Sequence, residues 1–417
     1  MFLALEFRHI LKGDCIVVRV LLYEWNAYMQ SDLEEVLQRM KIVYETFSCE
    51  IGKETGIVDD YFIRNFGRIL REGNFDAVLS LNYWSSVAIT CEKEHVPYIA
   101  WGYDCPLSFK ILDCLKYPTS HLFVFDKAQY QFYKERQFEN VYHIPLSVNV
   151  KRLDEIQLTS EEKKNFTTDI SFVGNTYASD YNMFKCVLDE YVKGYFESLI
   201  ETQYRIYGDY FIDDLIPDEL LIELQERIKK MPVFLGARQA PLEEFRGWVT
   251  MMLAREITRR ERILLISALS KRHPFKLFSS QEETILKHVE YCGTVSSHYA
   301  MPKVFKASKI NLNITYKQIT VGMPLRVLDI MGAGGFLLSN YQEELLENFR
   351  PGVDCVIYES IEDAVAKAEY YLEHEEERQE IAHNGHEAVK RFSYENQLDK
   401  MFRIVFGDQY RQSSSSK

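Results

Sequence analysis

DAVLSLNYWSSVAITCEKEHVPYIAWGYD, residues 76–104, sets two short β-branched and aromatic runs on either side of a helical stretch. The runs DAVLSLN (76–82) and PYIAWGYD (97–104) have the length of buried strands, and the segment between them is long enough to carry the chain back across a sheet. This pattern predicts parallel strands joined by a crossover helix. Working outward, RVLLYEW (19–25), KIVYETF (41–47), HLFVFD (121–126) and VYHIPL (141–146) are further strand candidates. Helical stretches such as SDLEEVLQRM, DYFIRNFGRILREG and KAQYQFYKERQ separate them, so residues 19–150 read as one complete doubly wound unit.

A polar, charged stretch without strong periodicity, 151–168, reads as a linker to a second unit spanning 169–392. There the strand candidates are DISFVGN (169–175), PFKLFSS (274–280), HVEYCGTV (288–295), INLNIT (310–315), GGFLLSN (334–340) and DCVIYES (354–360). Residues 177–272, rich in Leu, Glu, Arg and Tyr at helical spacing, read as a helical insertion. The segment from Ser360 to Phe392 is helical with a break expected at Asn384-Gly385, Ser393 caps a final helix within 393–411, and the serine-rich 412–417 reads as a disordered tail. The expected fold is α/β, two Rossmann-like domains facing across a cleft.

The chain has 417 residues, 47% of them hydrophobic, which suffices for a sizeable core and excludes a disordered chain. Its net charge of −13 disfavours non-specific attraction to nucleic acid or anionic lipid. The 8 cysteines show neither CxxC nor metal-ligand spacing with histidine, the pattern of reduced thiols and a cytoplasmic location. No apolar run reaches the roughly 20 residues that span a bilayer. Residues 1–18 lack the apolar stretch of an export signal; because Lys12-Gly13-Asp14 can be encoded by a ribosome-binding sequence ahead of a valine start codon, they are expected to be a non-native leader.

Open α/β sheets bind ligands at loops that follow the carboxyl ends of strands. The richest such loop lies in VGMPLRVLDIMGAGGFLLSN (321–340). Gly322 and Met323 lead to Pro324, expected in the first turn of a helix, where its missing N–H costs nothing. The free N–H groups of Leu325 and Arg326, with the Arg326 guanidinium, then form an anion site suited to a diphosphate. Asp329, three residues beyond Arg326, shares that face and suits sugar hydroxyls. A plainer alternative pairs Arg326 with Asp329 as a local ion pair, and reads Gly332, Gly334 and Gly335 as a tight helix-to-strand turn.

The run GMPLRVLDIMGAGGFLLSNYQEELLENFRPGVDCVIYESIEDAVAKAEYYLEHEEERQEIAHNG resembles the carboxyl-terminal domain of the CgeB-like, spore maturation protein type of glycosyltransferases, a branch of the GT-B fold with a glycosyltransferase group 1 domain. FVGNTY (172–177), YCGTV (291–295) and MPKVFKASKINLNIT (301–315) are similar to that family's donor domain, and LLYEWN (21–26) and WGYDCP (101–106) to its companion domain. The resemblance implies that Gly174 and Asn175 lie near the diphosphate, that Cys292, Gly293 and Thr294 line the nucleobase pocket, and that Asp329 stands where relatives use Glu to hold ribose hydroxyls. It departs from the pattern at Val321, where many retaining relatives carry a second Glu.

The reaction so implied moves a sugar from a nucleoside-diphosphate donor to an acceptor hydroxyl of a glycan, protein or surface polymer, with Arg326 stabilising the leaving phosphate. No DxD triplet occurs, so a metal-independent mechanism is expected, with the nucleotide sugar as co-substrate and no further cofactor. Asp104 is the candidate general base and Glu24 its rival, while Asn82, Tyr83 and Trp84 are candidates to present the acceptor. Asp104 as a turn-shaping residue is the plainer alternative. His383 and His386 are expected on a solvated surface. A nucleotide-sugar epimerase and a non-catalytic nucleotide-sugar-binding scaffold remain open on the same fold.

Overall fold

The computed structural model describes residues 18–25, 27, 29–48, 60–107, 112–178, 180–229, 240–407 and 410. Both the expected leader, apart from Val18, and the expected tail lie outside them. The chain divides into two compact units: one runs to Asn149 and also takes in Arg391 onward, and the other is Val150–Lys390.

Among the described residues the first unit contains strands β1 (Arg19–Glu24), β2 (Val43–Ser48), β3 (Ala77–Leu81), β4 (Tyr98–Trp101), β5 (Ser120–Val124) and β6 (Val141–His143). They form a sheet in the order β2-β1-β3-β4-β5-β6, every pair parallel. All five residues of β3 are buried, as the central strand of a sheet covered on both faces must be. Leu21, Tyr23, Val78, Tyr98, Ala100, Leu122 and Val124 pack against helix Asp60–Gly73, through Phe62, Phe66 and Leu70, and helix Ser85–Glu94, through Val87, Ala88 and Cys91. The order in which strands are added reverses between β1 and β3, which makes that strand pair the switch point of the sheet.

The last helix, Tyr394–Phe406, belongs to this unit. Ser393 caps it, its side chain accepting from the Asn396 N–H at 3.3 Å. Arg39 holds Glu395 at 3.1 Å, the Tyr394 ring meets Trp101 edge-on at 5.6 Å, and Gln397 donates to the Pro145 carbonyl.

The second unit contains β7 (Thr168–Val173), β8 (Phe275–Phe278), β9 (Glu290–Tyr291), β10 (Ser308–Asn313), β11 (Leu337–Asn340) and β12 (Val356–Tyr358). Their order is β12-β11-β10-β7-β8-β9, again parallel throughout, with the switch point between β7 and β10. The helical insertion comprises Asp180–Lys185, Glu190–Gln203, Ile212–Leu215, Asp218–Ile228 and the amino half of Leu242–Ser270. It has a core of its own, with Phe184, Phe196, Leu224, Phe245, Val249 and Leu253 buried together. Helix Leu242–Ser270 then continues to a second core, where Ile263, Leu265, Ile266 and Leu269 pack on the sheet.

Two expectations change. The stretch 151–168 is no featureless linker: it forms helices Val150–Glu155 and Ser160–Phe166, the second opened by a capping box between Thr159 and Glu162. Arg152 donates to the His298 carbonyl at 2.7 Å and Lys303 pairs with Glu162, so contacts within the second unit supply the stability that such short helices lack. Nor is there a break at Asn384-Gly385, because helix Glu375–Val389 runs straight through. A Cβ on Gly385 would stand 2.3 Å from the Asp354 carbonyl oxygen, so that glycine permits a close approach within a helix.

Candidate functional site

The loops that follow β7 and β10 leave the switch point of the second sheet side by side. After β7, the Gly174 N–H bonds the Phe278 carbonyl at 3.0 Å, exposed Asn175 accepts the Tyr177 N–H on its side-chain oxygen at 2.6 Å, and Thr176 is buried. After β10, Asn313 donates to Ser339 at 2.9 Å and to Thr315 at 3.1 Å, and the Thr315 N–H donates to the Asn340 side chain at 2.8 Å. These buried amides fix the loop that leads, through buried Gly322 and Met323, to Pro324.

Pro324 is the cap of helix Leu325–Gly332, not a member of its first turn: its φ of −69° and ψ of 152° are extended. The helix therefore begins at Leu325, and the first intrahelical bond from this end is Val327 N–H to the Pro324 carbonyl at 3.1 Å. No side chain caps it. The Arg326 guanidinium donates to Asp329 at 3.1 Å, touches Met301 and lies 5.7 Å above the Phe305 ring, with 28% of the Arg326 side chain and 20% of Asp329 exposed. The ion pair anticipated as the plainer alternative is thus present, at the same helix start that carries the free amides. Gly334, with φ of 76°, and Gly335 make the turn into β11, and a Cβ on Gly335 would meet Asn311 at 2.6 Å.

Gly174 and Asn175 therefore share the switch point with Gly322, Met323, Pro324, Leu325, Arg326 and Asp329. Cys292, Gly293 and Thr294 follow β9, two strands further along the sheet. The Cys292 N–H bonds the Leu277 carbonyl at 2.9 Å, Gly293 has φ of 69°, and Thr294 is exposed. Burial, and then the neighbouring Glu290, raise the Cys292 thiol above its ordinary value, the opposite of the shift that activates a thiol.

Three residues on one face of helix Leu242–Ser270 reach the same two loops, and none stands out from the sequence alone. Thr258 accepts the Lys317 N–H at 3.1 Å; Glu261, its side chain 1% exposed, faces the Lys317 ammonium at 2.9 Å; Arg262 donates to the Asn175 carbonyl and, at 2.6 Å, to the Ile314 carbonyl. The Arg262 guanidinium lies 5.2 Å from both the Phe172 and Tyr177 rings, and Lys317 lies 4.3 Å above Tyr207. Desolvation pushes Arg262 down from its ordinary value and pushes the Tyr207 phenol well up. The available signal was the run Thr258–Arg262, a charged patch between two apolar stretches of one helix.

In the first unit, Asp104 lies just beyond β4 and is fastened by Asn82, just beyond β3. Asn82, with φ of 60°, donates to the Asp104 carboxylate at 2.7 Å, and its oxygen accepts the Tyr103 and Asp104 N–H groups at 2.7 and 3.2 Å. Burial raises the Asp104 carboxyl above 3.8 against the lowering effect of Asn82. Glu24 is also raised, by burial and then by the neighbouring Glu34. Tyr83 is core rather than an acceptor contact: it is 4% exposed and its hydroxyl bonds Ser120 at 3.1 Å. Trp84 is half-buried and packs against Trp25 at 5.4 Å between centroids, both indole N–H groups donating to the Leu81 carbonyl. His386 is likewise not simply solvated, since it bonds Asp154 at 3.0 Å and the Met331 carbonyl at 3.2 Å. Among the described residues no three His, Cys, Asp or Glu gather as metal ligands, and no helix is long and apolar enough to cross a membrane.

Residues 259–403 match the family model described as "Glycosyl transferase-like". No curated protein matches the chain. Among solved structures, sucrose-phosphate synthase from Thermosynechococcus elongatus is similar with a TM-score of 0.54 at 10% identity, covering 93% of this chain and 99% of that one. HepE of Anabaena, in complex with UDP-glucose, gives 0.53 at 9% identity over 93% and 99%. A glycosyltransferase from Rickettsia africae gives 0.50 at 10% identity over 94% and 99%. Two all-parallel six-stranded α/β sheets, matched over nearly the whole chain by these structures, are the GT-B fold of glycosyltransferases, and residues 259–403 are similar to a glycosyl transferase-like domain.

Proposed function

We propose that the protein is a glycosyltransferase of the CgeB-like kind, acting in the cytoplasm on a nucleoside-diphosphate sugar and an acceptor hydroxyl of a glycan, protein or surface polymer. The observation that carries this reading is the helix start at Leu325, with its unbonded amides, Arg326 and Asp329, at the β7/β10 switch point beside Gly174 and Asn175. An incoming diphosphate competes with Asp329 for the Arg326 guanidinium, which leaves the carboxylate to take sugar hydroxyls. As the bond between the anomeric carbon and the phosphate oxygen breaks, its electron pair stays on the phosphate, and the helix amides with Arg326 stabilise that growing charge without a metal ion. The acceptor oxygen attacks the anomeric carbon and its proton passes to Asp104, whose raised carboxyl is the stronger base for it.

Thermal-shift and calorimetric titration with a panel of nucleoside diphosphates and their sugars tests the donor, UDP first, since HepE of the same fold holds UDP-glucose. Turnover assays then run with and without acceptor and with a chelator. Acceptor-dependent release of nucleoside diphosphate that survives chelation is the expected result. Conversion of the sugar without any acceptor would instead mark an epimerase, and binding without turnover a scaffold.

A further inference from the structure

A doubly wound sheet has one weak place, the switch point, where the two central strands end and their chains turn away in opposite directions. In the second unit the β7/β10 ladder extends to the Leu312–Phe172 pair, and among the described residues no backbone pair joins the two loops to each other beyond it. The Arg262 guanidinium occupies this position. One arm donates to the carbonyl of Asn175, two residues past β7, and the other to the carbonyl of Ile314, the first residue past β10. The Phe172 and Tyr177 rings, each 5.2 Å from it, keep the planar group in place, and Arg262 is only 7% exposed. Thr258 and Glu261, at helical spacing on the same face, hold Lys317 of the β10 loop by its N–H and its ammonium.

We propose that Arg262 is a positioning residue of the nucleotide-sugar site: it fixes the separation of the Gly174–Tyr177 and Ile314–Pro324 loops, and through it the helical insertion sets that separation. The ligand in this inference rests on the function proposed above, but the clamp itself does not. A lysine cannot reproduce the clamp, because a single ammonium lacks the flat fork that reaches two carbonyls on divergent chains. The helix that carries Arg262 is anchored at its amino end in the insertion core and at its carboxyl end in the sheet core. Movement of the insertion is therefore delivered to the loops as a shift of the guanidinium.

The test uses the full chain with Arg262→Ala, Arg262→Lys and, as a stability control on helix Glu375–Val389, Ile381→Ala, which truncates a buried side chain of the sheet core. Hydrogen–deuterium exchange of the free proteins should show faster exchange at 174–178 and 314–323 in both Arg262 variants, with β8 and β11 unchanged, and no such change at the two loops in Ile381→Ala. UDP affinity should fall in Arg262→Ala and turnover about 100-fold, as for a misplaced site. Millimolar guanidinium should recover part of it, and Arg262→Lys should not. Unchanged exchange in the two loops would overturn the clamp, and so would UDP affinity equal in Arg262→Ala and wild type. Should the wild-type protein bind no nucleoside diphosphate, the proposed function fails, while the exchange experiment still decides the clamp.

Discussion

Asn82 joins the backbone geometry at the end of β3 to the carboxylate proposed as the base, so its replacement separates two effects that are usually confounded. In Asn82→Gly the φ of 60° is free of strain, but the bonds to the Tyr103 N–H, the Asp104 N–H and the Asp104 carboxylate are lost. At about 0.5–1.5 kcal/mol each they sum to roughly 1.5–4.5 kcal/mol, with the buried Tyr103 amide at the upper end because nothing replaces its acceptor. Asn82→Ala loses the same bonds and adds about 1–2 kcal/mol for a Cβ in the left-handed region. The glycine variant in turn has about 0.5–1 kcal/mol of extra unfolded-state entropy to lose. The balance leaves alanine less stable than glycine by roughly 0–1.5 kcal/mol, centred on about 0.75, the reverse of the order at ordinary positions. Urea unfolding followed by tryptophan fluorescence suits the measurement, since Trp25, Trp84 and Trp101 lie in the first unit and only Trp248 in the second. Equal slopes with a lower midpoint for alanine than for glycine are expected. An alanine variant more stable than the glycine variant would refute the argument that the backbone imposes the left-handed conformation on this residue. Both variants should also lose turnover with donor affinity intact, because the Asp104 carboxylate is no longer held.

Arg326→Ala should weaken nucleoside-diphosphate binding by about 1.5–3 kcal/mol, the range for hydrogen bonds to charged groups, with little change in folding stability because its ion pair is partly exposed; calorimetry reads both. The folded state raises the Asp104 carboxyl above 3.8, so it holds that proton more tightly than the unfolded chain does. The stability tied to this group is complete below 3.8 and declines as pH rises through the raised value, a decline that Asp104→Asn should abolish in acid unfolding curves. The same raised value sets the acid limb of turnover, which climbs as the base ionises and is absent in Asp104→Asn. Lys317→Met leaves the buried Glu261 carboxylate without its partner and should cost about 3–5 kcal/mol, most of it recovered in the double variant with Glu261→Gln, as a double-mutant cycle would show. Gly385→Ala should destabilise by about 1–3 kcal/mol in thermal unfolding despite better helix propensity, since its Cβ would press on the Asp354 carbonyl.

The inner strands such as β3 and β4 were legible because parallel strands buried on both faces leave nearly unbroken apolar runs, and all twelve candidate runs overlap strands among the described residues, the exposed edge strands β2 and β9 included. What periodicity missed was short or locally satisfied. Helix Ser160–Phe166 has no apolar stripe to detect, having no buried side chain, yet Thr159 and Glu162 spell its capping box. Gly385 looked like a helix breaker because sequence alone cannot distinguish a glycine that ends a helix from one that admits a neighbouring backbone. Pro324 was displaced by a single position, an error within the usual uncertainty of helix ends. The Arg326–Asp329 spacing was readable, and so was its ambiguity: the same three-residue separation that aims both groups at one ligand also lets them bond each other.

Arg262 was hidden for a different reason. Arg259, Arg260, Glu261 and Arg262 look like a solvated helix face, and two of these four do make partly exposed ion pairs, Arg259 with Glu283 and Arg260 with Glu197 and Glu201, while Glu261 makes a buried one with Lys317. Only in three dimensions does the helix prove to lie between two cores, so that its charged middle turn is enclosed and must find partners in the protein. A guanidinium there costs desolvation that an apolar side chain of similar size would avoid. Burial by itself therefore does not account for an arginine at this position, whereas two backbone carbonyls on diverging strands, too far along to pair with each other, account for its shape and its charge together. The same reasoning places the sensitivity of the site in the insertion: a substitution that shifts Leu242–Ser270 along its axis, even in the apolar contacts around Val249 and Leu253, moves the group that spaces the two loops.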